Sequence, residues 1–365
     1  MNVILTGGGT AGHVNPAIAI GYGIKSKVGK TNLLYVGTHN GIEKEIVEKE
    51  KMEYRAITVD GMKSKNIIKV IRTGLKVLKG IFDSFVIIKQ FKPDLIVGTG
   101  GYVSFPIVFV GQLLGIKTVI HEQNAFPGSA NRKLSKKANL VFTSYKESHD
   151  KFEKSDNLIF AGNPIKREFY KMDREECRVK HEFSDEKLNI VSLGGSGGAK
   201  VINDIMFDMM SEFNGDERLS FTHITGRSYY EKYMKFRKDI ETEFKENINI
   251  LPFSYDIPSF FYAADIVICR AGALTIAELM VAGTPSIIIP SPNVKDNHQE
   301  YNARAIENAG RAFVILEKDV TFAKVKSMID SFIENPKELK DMRVINELKK
   351  DAALTIIIDN INKIV

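Results

Sequence analysis

Apolar residues fall in two recurring patterns along this chain. Short unbroken runs of Val, Ile and Leu alternate with longer stretches in which apolar positions return every three or four residues. The short runs predict strands buried on both faces of a parallel sheet, and the longer stretches predict the helices that cover it. In the first half the runs predict strands at Asn2–Leu5, Asn32–Val36, Arg55–Val59, Leu95–Gly98, Lys117–His121, Leu140–Thr143 and Leu158–Ala161, with helices such as Pro16–Lys27 and Gly41–Lys51 between them. The second half repeats the alternation. Strands are predicted at Leu188–Leu193, Phe221–Thr225, Ile248–Leu251, Ile266–Cys269, Ser286–Ile289 and Ala312–Ile315. Helices are predicted at Lys200–Phe213, Tyr229–Phe244, Tyr255–Ala263, Ala273–Val281, Gln299–Asn308 and Phe322–Asn335. The fold class is therefore α/β, with two Rossmann-like, doubly wound parallel-sheet domains. The polar segment Lys166–Asp185 reads as a connection, and Pro336–Val365 as amphipathic and helical.

A length of 365 residues agrees with two domains at roughly 100–200 residues each. The two cysteines, Cys177 and Cys269, fit neither a metal spacing nor a disulfide framework, which points to a reduced cytosolic compartment. The start MNVILTGGGTAGH lacks the basic and apolar regions of a signal peptide, and the longest apolar stretches fall short of the ~20 residues that cross a membrane. A soluble or peripheral protein is expected. The net charge of +6 suits nucleic acid, an anionic membrane, an acidic substrate or no partner at all. No nucleic-acid-binding motif accompanies it, so no nucleic-acid partner is expected.

Each half opens with a strand, a glycine cluster and a helix: NVILTGGGTAGH and NIVSLGGSGGAK. Glycine lets a backbone turn sharply close to a ligand, and the helix start offers N–H groups and a partial positive charge. Both features suit phosphate. Gly7, Gly9 and Gly12 also match G-x-G-x-x-G, but the second strand ends Tyr35-Val36-Gly37-Thr38 without the acid that a dinucleotide enzyme wants there. A tight turn with no ligand is the alternative for either cluster alone. Four further segments lie mostly just after predicted strands, where ligands of parallel α/β domains bind. They are GGYVSFP (Gly100–Pro106), HEQNAFPG (His121–Gly128), GNPIKREF (Gly162–Phe169) and CRAGALTIAELMVAGTPSIIIP (Cys269–Pro290), the last followed by DNHQEYNA (Asp296–Ala303).

Together, in order and over nearly the whole chain, these segments resemble the MurG family of UDP-N-acetylglucosamine transferases. The resemblance implies a GT-B fold: an acceptor- and membrane-facing domain over 1–163, a UDP-sugar domain over 164–338 facing it across a cleft, and a helix over 339–365 returning to the first domain. It implies an inverting hexosyl transfer from UDP-N-acetylglucosamine to undecaprenyl-pyrophosphoryl-N-acetylmuramyl-pentapeptide (lipid I), at the cytoplasmic face of the bacterial plasma membrane. It further implies Glu278 on the ribose hydroxyls, the backbone of Ala273, Leu274 and Thr275 on the nucleotide, Ser196 on phosphate and Ser254 on uracil. Gln299 would serve the sugar hydroxyls and Asn302 belong to the same site, with Thr10, Ala11, Gly12, Asn124 and Lys166 also toward the donor and Gly100, Gly101 and Tyr102 toward the acceptor. His13 is the implied general base and Glu122 its rival; imidazole, with an ordinary pKa of about 6.5, suits proton removal near neutrality. Lys166 stands where the family usually has arginine, keeping the charge and losing the planar fork, and Arg167 is adjacent. Ala11 replaces a frequent glycine. No Asp-x-Asp triplet occurs, so neither metal nor cofactor is expected.

Between Gly61 and Lys92 eight Lys/Arg face a single acid, Asp83. Ile67, Lys69, Ile71, Arg72, Leu75, Lys76 and Phe82 fall at largely helical spacing, a pattern that can lie on anionic membrane lipids. A core-packed helix with a solvated basic face would show the same pattern. Rival readings are a diacylglycerol glycosyltransferase, a UDP-N-acetylglucosamine 2-epimerase, a non-catalytic membrane adaptor and, more remotely, an NAD-dependent oxidoreductase.

Overall fold

The computed structural model describes residues 1–61, 66–153, 156–165, 167–195, 197–239, 243–343 and 352–365. The chain divides into two compact units, Met1–Lys166 with Asp351–Val365, and Arg167–Lys350. The first unit holds strands β1 (Asn2–Thr6), β2 (Asn32–Thr38), β3 (Glu53–Ile57), β4 (Leu95–Gly98), β5 (Lys117–Glu122), β6 (Leu140–Thr143) and β7 (Leu158–Phe160). They form one sheet in the order β3-β2-β1-β4-β5-β6-β7, every pair parallel. Helices α1 (Ala11–Val28), α2 (Ile42–Lys49), α3 (Ile67–Phe91), α4 (Gly101–Leu113) and α5 (Ser129–Ser135) make the first five crossovers, and a short 3-10 helix over Lys146–Lys151 lies in the last.

The second unit holds β8 (Leu188–Leu193), β9 (Leu219–Ile224), β10 (Ile248–Leu251), β11 (Ile266–Cys269), β12 (Ser286–Ile288) and β13 (Ala312–Val314), again all parallel, in the order β10-β9-β8-β11-β12-β13. Its helices are α6 (Arg174–Lys180), α7 (Lys200–Glu212), α8 (Arg227–Asp239), α9 (Ile257–Ala263), α10 (Ala273–Ala282), α11 (His298–Asn308), α12 (Phe322–Glu334) and α13 (Lys337–Met342). A last helix, α14 (Ala352–Ile361), belongs to the first unit.

Each strand falls where an apolar run predicts it, with ends shifted by no more than two residues. The cause is burial on both sides. In β1, Val3 and Leu5 enter the core beneath α1 while Ile4, between them, enters the core beneath α3 and α4. Leu95 and Val97 of β4 join the first core and Ile96 the second. With no face left for water, no polar alternation interrupts the run.

Three helix predictions need correction, one being that of α8 (Arg227–Asp239), whose predicted end, Phe244, is not helical. Helix α1 starts at Ala11, not Pro16, because the chain leaves Gly9 with φ +85° and an extended Thr10 already sets the first turn. Pro16 lies inside the helix and gives up one ladder bond. The supposed connection at 166–185 contains α6, capped by Asp173, whose carboxylate accepts from Glu175 N (2.9 Å) and Glu176 N (3.2 Å). Arg174 and Arg178 leave α6 on one face and meet Asp265 at 2.6 and 3.2 Å. Burial raises the Asp265 pKa, but the Asn189 N–H groups and both arginines outweigh it and hold it below the ordinary carboxylate value.

Helix α14 completes the first core. Leu354, Ile357, Ile358 and Ile361 are buried with Ile20 and Ile24 of α1. The two helices approach closely at Gly23, where a Cβ would stand 2.9 Å from Leu354 Cδ1. Ile357→Ala is expected to cost the first unit about 2–5 kcal/mol through the cavity left beside α1. Urea unfolding followed by hydrogen exchange on α1 checks this.

Candidate functional site

In the first unit the parallel register aligns Thr6 with Gly98 and Gly98 with Ile120, so the turns after β1, β4 and β5 leave the same sheet edge side by side. They are bound together. Gly8 N donates to Gly100 O (3.3 Å), and Thr99 Oγ1 donates to His13 O (2.6 Å). Gly101, at φ +77°, admits no side chain, since a Cβ would stand 2.2 Å from Gly8 O. Tyr102, half-buried, lies over Gly9 and Gly61. His13 falls in the first turn of α1 with Ala11 and Gly12, after exposed Thr10. Its half-buried ring places Nδ1 2.9 Å from Gln123 Oε1.

Glu122, 1% exposed, is engaged by its own loop. Oε1 accepts from Asn124 N (3.0 Å) and Asn124 Nδ2 (3.1 Å), and Oε2 accepts from Gly128 N (2.9 Å) and Asn131 Nδ2 (2.8 Å). Four donors on one carboxylate hold the loop after β5 in shape. Of the two base candidates, His13 is the one with an accessible ring.

Sequence reasoning passed over Glu43. It is wholly buried beneath the first glycine turn, accepting from Thr38 N (3.0 Å) and Thr38 Oγ1 (2.5 Å), with Gly9 N at 3.5 Å. Burial and then this carboxylate raise the phenol pKa values of Tyr35, Tyr54 and Tyr102. Helical spacing on α2 gives an ordinary surface glutamate, and only the sheet contact buries it.

The second unit gathers its predicted residues at the matching edge. Ala273, Leu274 and Thr275 form the first turn of α10 after Gly272, and Glu278 follows one turn on, half-buried. Burial and then the nearby Glu278 push the Cys269 thiol up. Arg270 forms an ion pair with Glu317 at 2.5 Å and donates to Ile289 O (3.1 Å), fixing the turn before α10. Asn302, wholly buried, donates to Ala271 O (3.2 Å) and ties α11 to that turn. Gln299 Oε1 accepts from Ser291 N (2.8 Å). Ser254 follows β10, its hydroxyl accepting from Asp256 N (3.0 Å). Ser196 and Lys166 lie outside the described residues. In the glycine turn around Ser196, a Cβ on Gly195 or Gly197 would meet no atom within 4 Å.

On α3, Val77, Ile81, Ile87 and Ile88 face the core. Ile71, Leu75, Leu78 and Phe82 point outward, each between 61% and 66% exposed. Arg72 is exposed beside them and Lys76 pairs with Asp60, while the side chains of Ile67 and Lys69 lie outside the described residues. Among the described residues no helix is long and apolar enough to cross a membrane.

Comparison with known proteins agrees over both units. Residues 3–143 match the glycosyltransferase family 28 N-terminal domain and residues 189–356 the family's C-terminal domain. The chain belongs to glycosyltransferase family 28. This family 28 chain is 42% identical over 343 residues, 94% of each protein, to the UDP-N-acetylglucosamine–N-acetylmuramyl-(pentapeptide) pyrophosphoryl-undecaprenol N-acetylglucosamine transferase of Thermoanaerobacter sp. (strain X514). It is 39% identical to the protein of the same name from Clostridioides difficile (strain 630), over 100% of this chain and 89% of that one. The crystal structure of Acinetobacter baumannii MurG aligns with a TM-score of 0.76 at 26% identity, covering 100% of this chain and 99% of that one. A UDP-GlcNAc 2-epimerase from Neisseria meningitidis aligns at TM-score 0.69 and 14% identity, a likeness of fold alone. The family 28 chain is thus a hexosyltransferase of GT-B type.

Glu122→Gln puts an amide N–H against donors of the loop it holds and is expected to cost about 1–3 kcal/mol. Thermal unfolding measures the loss, and an unchanged melting curve would contradict the loop-holding part assigned to this carboxylate.

Proposed function

We infer that this family 28 chain transfers N-acetylglucosamine from UDP-N-acetylglucosamine to the 4-hydroxyl of N-acetylmuramic acid in lipid I, giving lipid II. The observation that carries the reading is near-full-length similarity, at about 40% identity, to transferases that bear this activity in their names.

The site residues support a single in-line displacement with inversion. His13 takes the proton of the attacking hydroxyl as the new bond forms at the anomeric carbon and UDP leaves. The charge growing on the pyrophosphate meets oriented backbone N–H groups at the second unit's glycine turn and at the start of α10. Cationic Lys166 or Arg167 would assist there. Glu278 serves the ribose diol, since one carboxylate can accept from both hydroxyls. Gln299 and Asn124 serve the donor's sugar, and Asn302 holds the turn that presents the nucleotide. Gly100, Gly101 and Tyr102 face the acceptor.

The lipid tail of the acceptor calls for a membrane-bound enzyme. The outward apolar stripe of α3, with Arg72 beside it, would lie in the headgroup region of an anionic bilayer, at the cytoplasmic face where nucleotide sugar is found.

With radiolabelled UDP-N-acetylglucosamine and a lipid I analogue, transfer is expected with and without a chelator. No transfer under either condition would reject the activity, and loss with chelator alone would reject the metal-free route. In that assay His13→Ala should lower kcat on the order of 10²–10⁴-fold and leave the donor KM nearly unchanged. Glu278→Ala should instead weaken UDP binding about tenfold or more. Co-sedimentation with phosphatidylglycerol vesicles should fall sharply for Leu75→Glu combined with Phe82→Glu; equal binding would remove α3 from the membrane contact.

A further inference from the structure

The buried groups behind His13 determine which of its ring nitrogens carries the hydrogen. His121 is wholly buried, and its Nε2 lies 2.9 Å from the Gly162 carbonyl oxygen. A carbonyl only accepts, so His121 Nε2 must donate. Burial lowers the pKa of this ring to about 4, against the smaller opposing effect of that hydrogen bond. The ring is therefore neutral at pH 7, and its Nδ1 offers only a lone pair.

Gln123, 1% exposed, places one end of its amide 3.0 Å from His121 Nδ1 and 3.0 Å from the His121 carbonyl oxygen. Two acceptors at one end require the NH2 group there. The amide oxygen must then point the other way, to His13 Nδ1 at 2.9 Å. An amide oxygen only accepts, so His13 Nδ1 carries the hydrogen, and in the neutral ring Nε2 is left bare. The backbone of Gln123 is held in turn by Asn163, whose Nδ2 donates to Gln123 O (3.1 Å) and whose Oδ1 accepts from Ser144 Oγ (2.8 Å).

We propose that Gln123 is a positioning residue, which, itself oriented by His121 and the Gly162 carbonyl, holds His13 as the Nδ1–H tautomer with Nε2 presented as the proton acceptor. The inference rests on His13 being the base. An unconstrained histidine side chain prefers the opposite tautomer, with hydrogen on Nε2, so a ring left to itself would offer the substrate hydroxyl an N–H instead of a lone pair. A neutral amide fixes the tautomer without adding a charge beside the ring, unlike the carboxylate of a hydrolase triad.

The test is ¹⁵N NMR of the full chain carrying labelled histidine, with the His13 signals identified by their loss in His13→Ala. The wild-type spectrum should show His13 with Nδ1 protonated and Nε2 bare. Gln123→Met keeps the side-chain length and removes both polar ends. It should move His13 toward the Nε2–H form and lower kcat about tenfold or more, leaving the KM for UDP-N-acetylglucosamine unchanged. A wild-type His13 already in the Nε2–H form, or an unaltered tautomer in Gln123→Met, would overturn the proposal. Should Gln123→Met fail to fold, the wild-type spectrum alone decides. Full turnover in His13→Ala would sink the base reading and the catalytic purpose of the relay, while the spectrum would still decide the tautomer.

Discussion

A ladder in which every strand runs the same way delivers all its carboxyl ends to one edge, and this chain does so twice. Neighbouring strands lie only about 4.8 Å apart, so the turns leaving β1, β4 and β5 crowd one another before any ligand arrives. Crowding explains much of the glycine in the first unit. A Cβ on Gly7 would stand 2.1 Å from Thr99 Oγ1, and one on Gly8 would stand 2.7 Å from a methyl of Val103. The second unit's cluster reads almost the same in sequence but has room above Gly195 and Gly197. The second cluster is tight elsewhere, since a Cβ on Gly194 would stand 2.1 Å from Ala199 N and one on Gly198 2.2 Å from Thr225 O, so both motifs knit turns together and the second also keeps two open backbone positions.

What the sequence made legible follows from local periodicity. Strands buried on both faces leave unbroken apolar runs, and long crossover helices leave their repeat. The polar segment containing α6 misled because its order comes from Asp173 at its start and from Asp265, far along the chain. The apolar positions on α3 were visible, but apolar residues lie on both its sides, and only the contact with α4 and the sheet decides which side turns inward.

The site was legible where motifs sit on turns. It was hidden where a polar residue is buried by a distant partner. Glu43 reads as surface and Gln123 as one more loop amide, while Asn302, placed in the donor site by resemblance, gives no sign in sequence of the backbone bond it makes. Their roles come from contacts that reach 34, 110 and 31 residues along the chain respectively. Such residues turn their polar atoms inward to the loops, and the loops take their shape from them. The division fits the energetics, because a buried polar atom must find a partner and each partner found fixes a piece of backbone.

Helix α14 carries an implication for how the protein is made. The apolar flank of α1 has its cover in Leu354, Ile357 and Ile358, which the ribosome makes only after the whole of the second unit. Domains usually fold in the order in which they emerge from the ribosome. Here the opening domain must wait, with Ile20 and Ile24 uncovered, until translation has passed through the whole of the other one. A nascent chain in that state presents a sticky strip for a chaperone to shield, and emergence of α14, not of the sheet it packs on, sets the moment at which that core can close.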